Sequence, residues 1–145
     1  MNSGRSGGGD PPDPLAAPGR IAFLHTSRAH IATFERLVRD LDPEVRIHHV
    51  VAEDLLADAQ LVGVQDADLV ARIRTAMDEA AGAGAAVVAC TCSTIGGVAE
   101  RTPTGGRYEA VRIDRAMAEQ AVRAGDRILV VAALASTLAP TVDLV

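Results

Sequence analysis

Runs of continuous apolar residues alternate along this chain with segments whose apolar residues recur every three or four positions, and few folds accommodate that order. "IAFLHT" (21–26), "VRIHHVVA" (45–52), "AAVVAC" (85–90), "YEAVRI" (108–113) and "DRILVVAAL" (126–134) read as five strands. Strands that are apolar along their length, rather than at alternate positions, are covered on both faces, as in parallel sheets whose crossovers are helices. Between them, "HIATFERLVRDL" (30–41) places Ile31, Phe34, Leu37, Val38 and Leu41 on one helical face before Asp42-Pro43 stops it. "DLVARIRTAMDEAAGAG" (68–84) places Leu69, Ile73, Ala76, Met77 and Ala80 on one stripe and ends in glycines suited to a C-cap. A helix is expected from Ser93 to Glu100, then the loop "RTPTGG", then a helix over "RAMAEQAVRAG" (115–125) with Asp114 as its cap. Residues 53–67 carry no clear pattern. The expected fold is α/β, a parallel sheet with helices on both faces.

Composition narrows the class. A chain of 145 residues with 48% apolar content can bury the core of one ordinary domain. Only 2% of it is aromatic, so that core must be built from Ala, Val, Leu and Ile. Met1–Gly19 is rich in Gly, Pro, Ser and Asp and reads as a disordered tail. At the other end, "STLAPTVDLV" holds a proline placed as in a first helical turn, so that a helix is starting as the sequence stops. A net charge of −5 opposes nucleic-acid binding. The longest apolar stretch falls far short of the ~18 residues of a membrane span, and no signal-peptide segment is present, which together place the protein in the cytoplasm. All 14 basic residues counted as Lys or Arg are arginines, so neither a lysine Schiff base to pyridoxal phosphate nor a nucleotide-binding Gly-Lys-Ser/Thr loop can form. No cofactor is expected, and the scarcity of rings argues against a flavin.

In open parallel sheets, ligands bind beyond the carboxyl ends of the strands, where loops and helix N-termini offer donors. Three such ends are rich in hydroxyls: His25-Thr26-Ser27, Cys92-Ser93-Thr94 and Ser136-Thr137. Each hydroxyl taken singly is commonly a helix cap. Together on one sheet edge they suit the oxygens of a small carboxylate. Cys92 stands where strand gives way to helix, so the helix N-terminus favours its thiolate, as a base or a nucleophile. Cys90, two residues earlier, projects from the same strand face and lies deeper. It cannot address the opposite face of a carbon held by Cys92, and it reads as a buried apolar side chain rather than a disulfide partner. The four histidines and two cysteines lack the paired spacing of a zinc site.

"IAFLHTS", "VVACTCSTIG" and "RIDRAMAEQAVRAGDRILVVAALASTLAPT" together resemble the aspartate/glutamate racemase superfamily, the cofactor-independent racemases that include hydantoin racemases and maleate isomerases. The resemblance extends over Arg20–Val145. It implies two similar α/β domains with an active site between them, each supplying a cysteine. One thiolate removes the Cα proton and the other thiol protonates the opposite face. Residues 20–114 then form the first domain and 115–145 the start of a second, whose own cysteine would lie beyond Val145. Carried over by position, Cys92 is the first cysteine, and Ser93 and Thr94 stand where the family commonly has Asn-Thr for the substrate carboxylate. Thr26 and Ser27 match the first substrate turn, and Ser136 and Thr137 match the turn that opens the second domain. His25 stands where many members carry an acidic residue, and has two roles open to it, to accept or orient the Cys92 proton or to satisfy a hydrogen bond at the strand end. The partner implied is a small carboxylate or amino-acid substrate, in a protein with room to be a homo-oligomer. The alternative is a non-catalytic small-anion-binding or assembly domain with a flavodoxin-like sheet, in which Cys92 is incidental.

Overall fold

The computed structural model describes residues 19–82 and 84–145. The tail expected over Met1–Gly19 therefore lies outside the described residues except at Gly19. That residue is tied to the sheet, its carbonyl accepting the Arg46 N–H at 2.9 Å.

Strand β1 (Arg20–His25) runs through a single 3-10 turn (Arg28–His30) into helix α1 (Ile31–Leu41). Then follow β2 (Arg46–Val51), α2 (Glu53–Val62), α3 (Ala67–Ala81), β3 (Val87–Cys90), α4 (Ser93–Glu100), β4 (Glu109–Arg112), α5 (Arg115–Ala124) and α6 (Ala135–Val142). The strands form one all-parallel sheet in the order β2-β1-β3-β4, so the expected α/β class is the observed one. The chain leaves β1 toward β2 on one side and returns to place β3 on the other. Between β1 and β3 the winding reverses, and there the loops part to leave a crevice at the carboxyl ends of the strands.

The two faces of β1 meet different surroundings, because successive strand residues point to opposite sides. Ala22 and Leu24 join Val88 and Cys90 of β3 in an aliphatic cluster with Leu69, Ile73, Met77 and Ala80 of α3 and Ile95 and Ala99 of α4. Phe23 and His25 face the other way, onto Phe34 of α1 and His49 of β2, with the two phenylalanine rings 5.0 Å apart. Helix α3 buries the whole expected stripe, Leu69, Ile73, Ala76, Met77 and Ala80. It starts where the Asp66 carboxylate accepts the Leu69 N–H at 2.9 Å, and the chain turns back through Gly84 at a φ of +78°.

Four expectations need correction. Helix α1 forms as expected, but Leu37 and Leu41 on its apolar face stay exposed, since it lies over the β2 edge and nothing among the described residues covers that end. Residues 53–62, without a visible pattern, are helix α2. It buries only Leu55 and Ala59, and no side chain caps it. The expected fifth strand at 126–134 does not form. Residues 126–133 make no backbone–backbone hydrogen bond among the described residues, and Leu129 and Val131 are 87% and 83% exposed. A strand exists only as a ladder with a neighbour, and this run has none. The last helix starts at Ala135, not at the proline, and Pro140 lies within it, where it supplies no N–H.

Replacing Met77 by Ala should cost about 2–5 kcal/mol, the usual range for emptying a core site, whereas Leu129→Ala should stay within about 0.5 kcal/mol. Urea titration of both variants checks the contrast.

Candidate active site

At the β1/β3 crossover point the chain continues from β1 into Thr26 and Ser27, and from β3 into Thr91 and Cys92. Between them lies a cleft of about 300 Å³. Among its lining residues are Thr26, Ser27, Cys92, Ser93, Thr94 and Thr137, six of the residues singled out in the sequence. They come from three separate segments, which the sheet and the α4–α6 contact bring together. Ser136 points into an adjoining hollow instead, where its hydroxyl accepts from Thr94 Oγ1 at 3.3 Å and from Gln60 Nε2 at 3.4 Å.

Cys92 occupies the N-cap position of α4, with extended backbone and no side-chain cap bond. The first N–H groups of the helix therefore have no side-chain cap at the cleft. The residue is 7% exposed, with its body in the aliphatic cluster and one side on the cleft. Cys90 sits behind it, fully buried, its thiol donating to the Cys92 carbonyl at 3.6 Å. Burial pushes the Cys90 thiol up to about 12. It is thus a packed apolar side chain, and both cysteines are free. Ser27 in part plays the bland role open to it, capping the 3-10 turn by accepting the Ala29 N–H at 3.3 Å.

His25 is elsewhere. Its ring is buried on the α1 side of the sheet, with Nδ1 2.8 Å from Thr91 Oγ1 and Nε2 2.8 Å from His49 Nδ1. Both nitrogens are thereby engaged, so of the two roles open to His25 the structure shows the strand-end hydrogen bonding, and the pair with Cys92 is not formed. Strand alternation explains it: residue 25 shares a face with Phe23, whereas Cys92 shares one with Cys90. Burial, helped by the neighbouring His49 and His30, lowers His25 from 6.5 to about 4, so the ring is neutral at neutral pH.

The sequence reading missed Arg112, and it gave Asp114 the wrong role. Asp114 stands at the start of α5 but makes no cap bond with its side chain. Its carboxylate instead takes a two-pronged bond from Arg112, Nε at 2.6 Å and Nη2 at 2.8 Å, with both residues buried. Burial pushes the Asp114 carboxyl up, but the Arg112 fork, the Ser93 hydroxyl and the guanidinium charge together outweigh it and leave the group below the usual carboxylate range. The guanidinium lies directly beneath α4. A Cβ on Gly96 would come within 3.2 Å of Arg112 Nε, and one on Gly97 within 3.5 Å of Arg112 Nη1. The glycine pair of "STIGG" thus lets the helix that carries Cys92 settle onto a buried ion pair. Two glycines inside a helical pattern were the available signal, since they usually mark a close approach.

Among the described residues no three His, Cys, Asp or Glu side chains are grouped so as to hold a metal ion, and no helix is long and apolar enough to cross a membrane. Comparison of the chain with protein-family models, with curated proteins and with solved structures finds no match in any of the three.

Gly96→Ala should force Arg112 aside and cost about 1–3 kcal/mol, the range for overpacking. Asp114→Ala, which leaves a buried guanidinium alone, should cost about 3–5 kcal/mol. Denaturant midpoints of both variants test these. The depressed value at His25 means that the unfolded chain binds more protons than the folded one between pH 6.5 and about 4. Stability contributed there is present above 6.5 and is lost as pH falls through that window. His25→Phe should flatten that part of a stability-against-pH curve, read from urea midpoints at pH 7, 5.5 and 4.5.

Proposed function

We propose that this chain is a cofactor-independent isomerase of the aspartate/glutamate racemase type, acting on a small carboxylate or amino acid in the cytoplasm, where a reducing environment keeps both thiols free. The observation that carries this reading is the convergence of Cys92 with Thr26, Ser27, Ser93, Thr94 and Thr137 on one cleft at the crossover point of the sheet. It rests further on the sequence resemblance.

Each part has a physical task. The substrate carboxylate is held by the Thr26 and Ser27 hydroxyls and by the uncapped N–H groups at the start of α4, where the helix dipole favours negative charge, since the Thr94 and Thr137 hydroxyls already donate, to Ser136 and to the Leu134 carbonyl. The Cys92 sulfur, as thiolate, removes the proton from the carbon next to that carboxylate. The electron pair left behind spreads onto the carboxylate oxygens, where the same donors bind it more tightly than they bind the ground state. Neutral aliphatic walls on the α3 side exclude water from the sulfur. Ser136 supports the site through Thr94 rather than by touching the substrate.

A second reading is favoured by one observation, that Cys92 is only 7% exposed. In that reading the cleft binds a small anion without turning it over, and the cysteine is packing.

Incubation with a panel of L-amino acids and small dicarboxylates in deuterated water should show deuterium entering Cα by mass spectrometry. Cys92→Ser should lower that rate by about 10²-fold or more, and Thr26→Ala should raise KM with less effect on kcat. Exchange that persists undiminished in Cys92→Ser would overturn the reading. Slow alkylation of Cys92 that no dicarboxylate blocks, together with no Cα exchange, would establish the binding module instead.

A further inference from the structure

We propose that the cavity between the far half of α4 and the end of α6 is a binding site for a phosphate group, held by the guanidiniums of Arg101 and Arg112 and by the Asp143 carboxylate. The site stands apart from the isomerase reading. This cavity and the Cys92 cleft share one lining residue, Thr94.

Helix geometry brings in the first arginine. Long side chains on a helix lean back over the preceding turn, so Arg101, which closes α4, lies over Gly97. Strand β4 brings in the second, the Arg112 guanidinium beneath the same helix. A Cβ on Gly97 would stand 3.5 Å from Arg101 Nη1 and 3.5 Å from Arg112 Nη1. Two positive groups thus converge where a single methyl is missing. Arg115, the third arginine of the wall, is engaged by Glu100 in a two-pronged ion pair. That bond, with the charges of Arg115, Arg112 and Arg101 added, outweighs burial and holds the Glu100 carboxyl below its usual range.

The convergence leaves donors unclaimed. Arg112 Nε and Nη2 are taken by the Asp114 carboxylate, with the Ser93 and Pro140 carbonyls each 3.5 Å from Nη2. Arg112 Nη1, with two N–H groups, has no hydrogen-bond partner among the described residues, although the side chain is only 5% exposed. It lies on the Gly97 side, where the cavity is. An arginine needed only to neutralise Asp114 would leave no buried donor pair facing a hollow; an acceptor in that hollow completes it. Arg101 and Asp143 also line the cavity, and neither forms an ion pair among the described residues. They do not reach one another, and a ligand can join them.

The groups on the wall select that ligand. Guanidiniums hold tetrahedral oxyanions well, through N–H groups aimed at more than one oxygen. Asp143 repels an anion that carries no proton. A phosphate group titrates near neutral pH, so it offers oxygens to the arginines and an O–H to the carboxylate at once. Sulfate offers only oxygens. The cavity, about 150 Å³ against about 300 Å³ for the Cys92 cleft, suits a compact group of this kind.

Inorganic phosphate, titrated into the whole chain at fixed ionic strength in a buffer free of other oxyanions, tests the site. Calorimetry should show saturable binding, and Tm should rise by about 3–5 °C once phosphate reaches roughly ten times its Kd. Arg101→Gln, at an exposed position, should leave the Tm of the free protein unchanged and weaken phosphate binding by about tenfold or more. Gly97→Ala, whose methyl meets both guanidiniums at ordinary contact distance, should weaken it too. Sulfate should bind at least about tenfold more weakly than phosphate, and Asp143→Asn should remove that preference. Absence of saturable binding, or equal binding in Arg101→Gln, would overturn the site, and equal affinity for the two anions would overturn phosphate as its ligand. Cys92→Ser and Thr26→Ala should bind phosphate as the unaltered chain does. Binding lost in those two but kept in Arg101→Gln would put the anion in the cleft and overturn the proposal, whatever the outcome of the Cα exchange assay.

Discussion

The structure depends on a central strand that is paired along both edges and covered on both faces. β1 is hydrogen-bonded to β2 on one side and β3 on the other, so none of its backbone groups needs water. Its side chains then divide by position alone. Residues 22 and 24 go to the aliphatic side, and 23 and 25 to the side of rings. Every later feature inherits that division, including which of Thr91 and Cys92 meets which neighbours, and why the cleft at the end of β1 has walls of unlike chemistry.

Helix α3 shows what was legible in the sequence. Its apolar stripe and its Asp66 cap can be read from spacing, because a helix of 15 residues repeats its pattern often enough to stand out. α2 buries one residue per turn and begins without a side-chain cap, so its pattern is too thin to read. The run at 126–134 failed in the opposite way. Its composition suits a strand, but a strand is made by its neighbour, and sequence does not say whether a neighbour is there.

The site divides along the same line. Thr26, Ser27 and Cys92 to Thr94 could be located because loops at strand ends are where parallel sheets hold ligands. His25 could be placed at that end too, but whether it shares a face with Cys92 depends on the register of β1 against β3, which pairs Leu24 with Cys90. A shift of one residue reverses the face. Asp114 looked like a cap because capping is local, whereas its true partner, Arg112, is two residues back, on the strand β4. What fixed that outcome was the depth of the site, a burial no short stretch of sequence reveals.

The sheet therefore works as a partition. Methyl and methylene groups on the α3 side supply cohesion that any volume-conserving exchange would preserve. The α1 side adds the packed rings of Phe23 and Phe34 and, in His25 and His49, nitrogen atoms that bond to one another. Chemistry on this scaffold could be altered on one side of a single layer of backbone while the other side goes on holding the fold together.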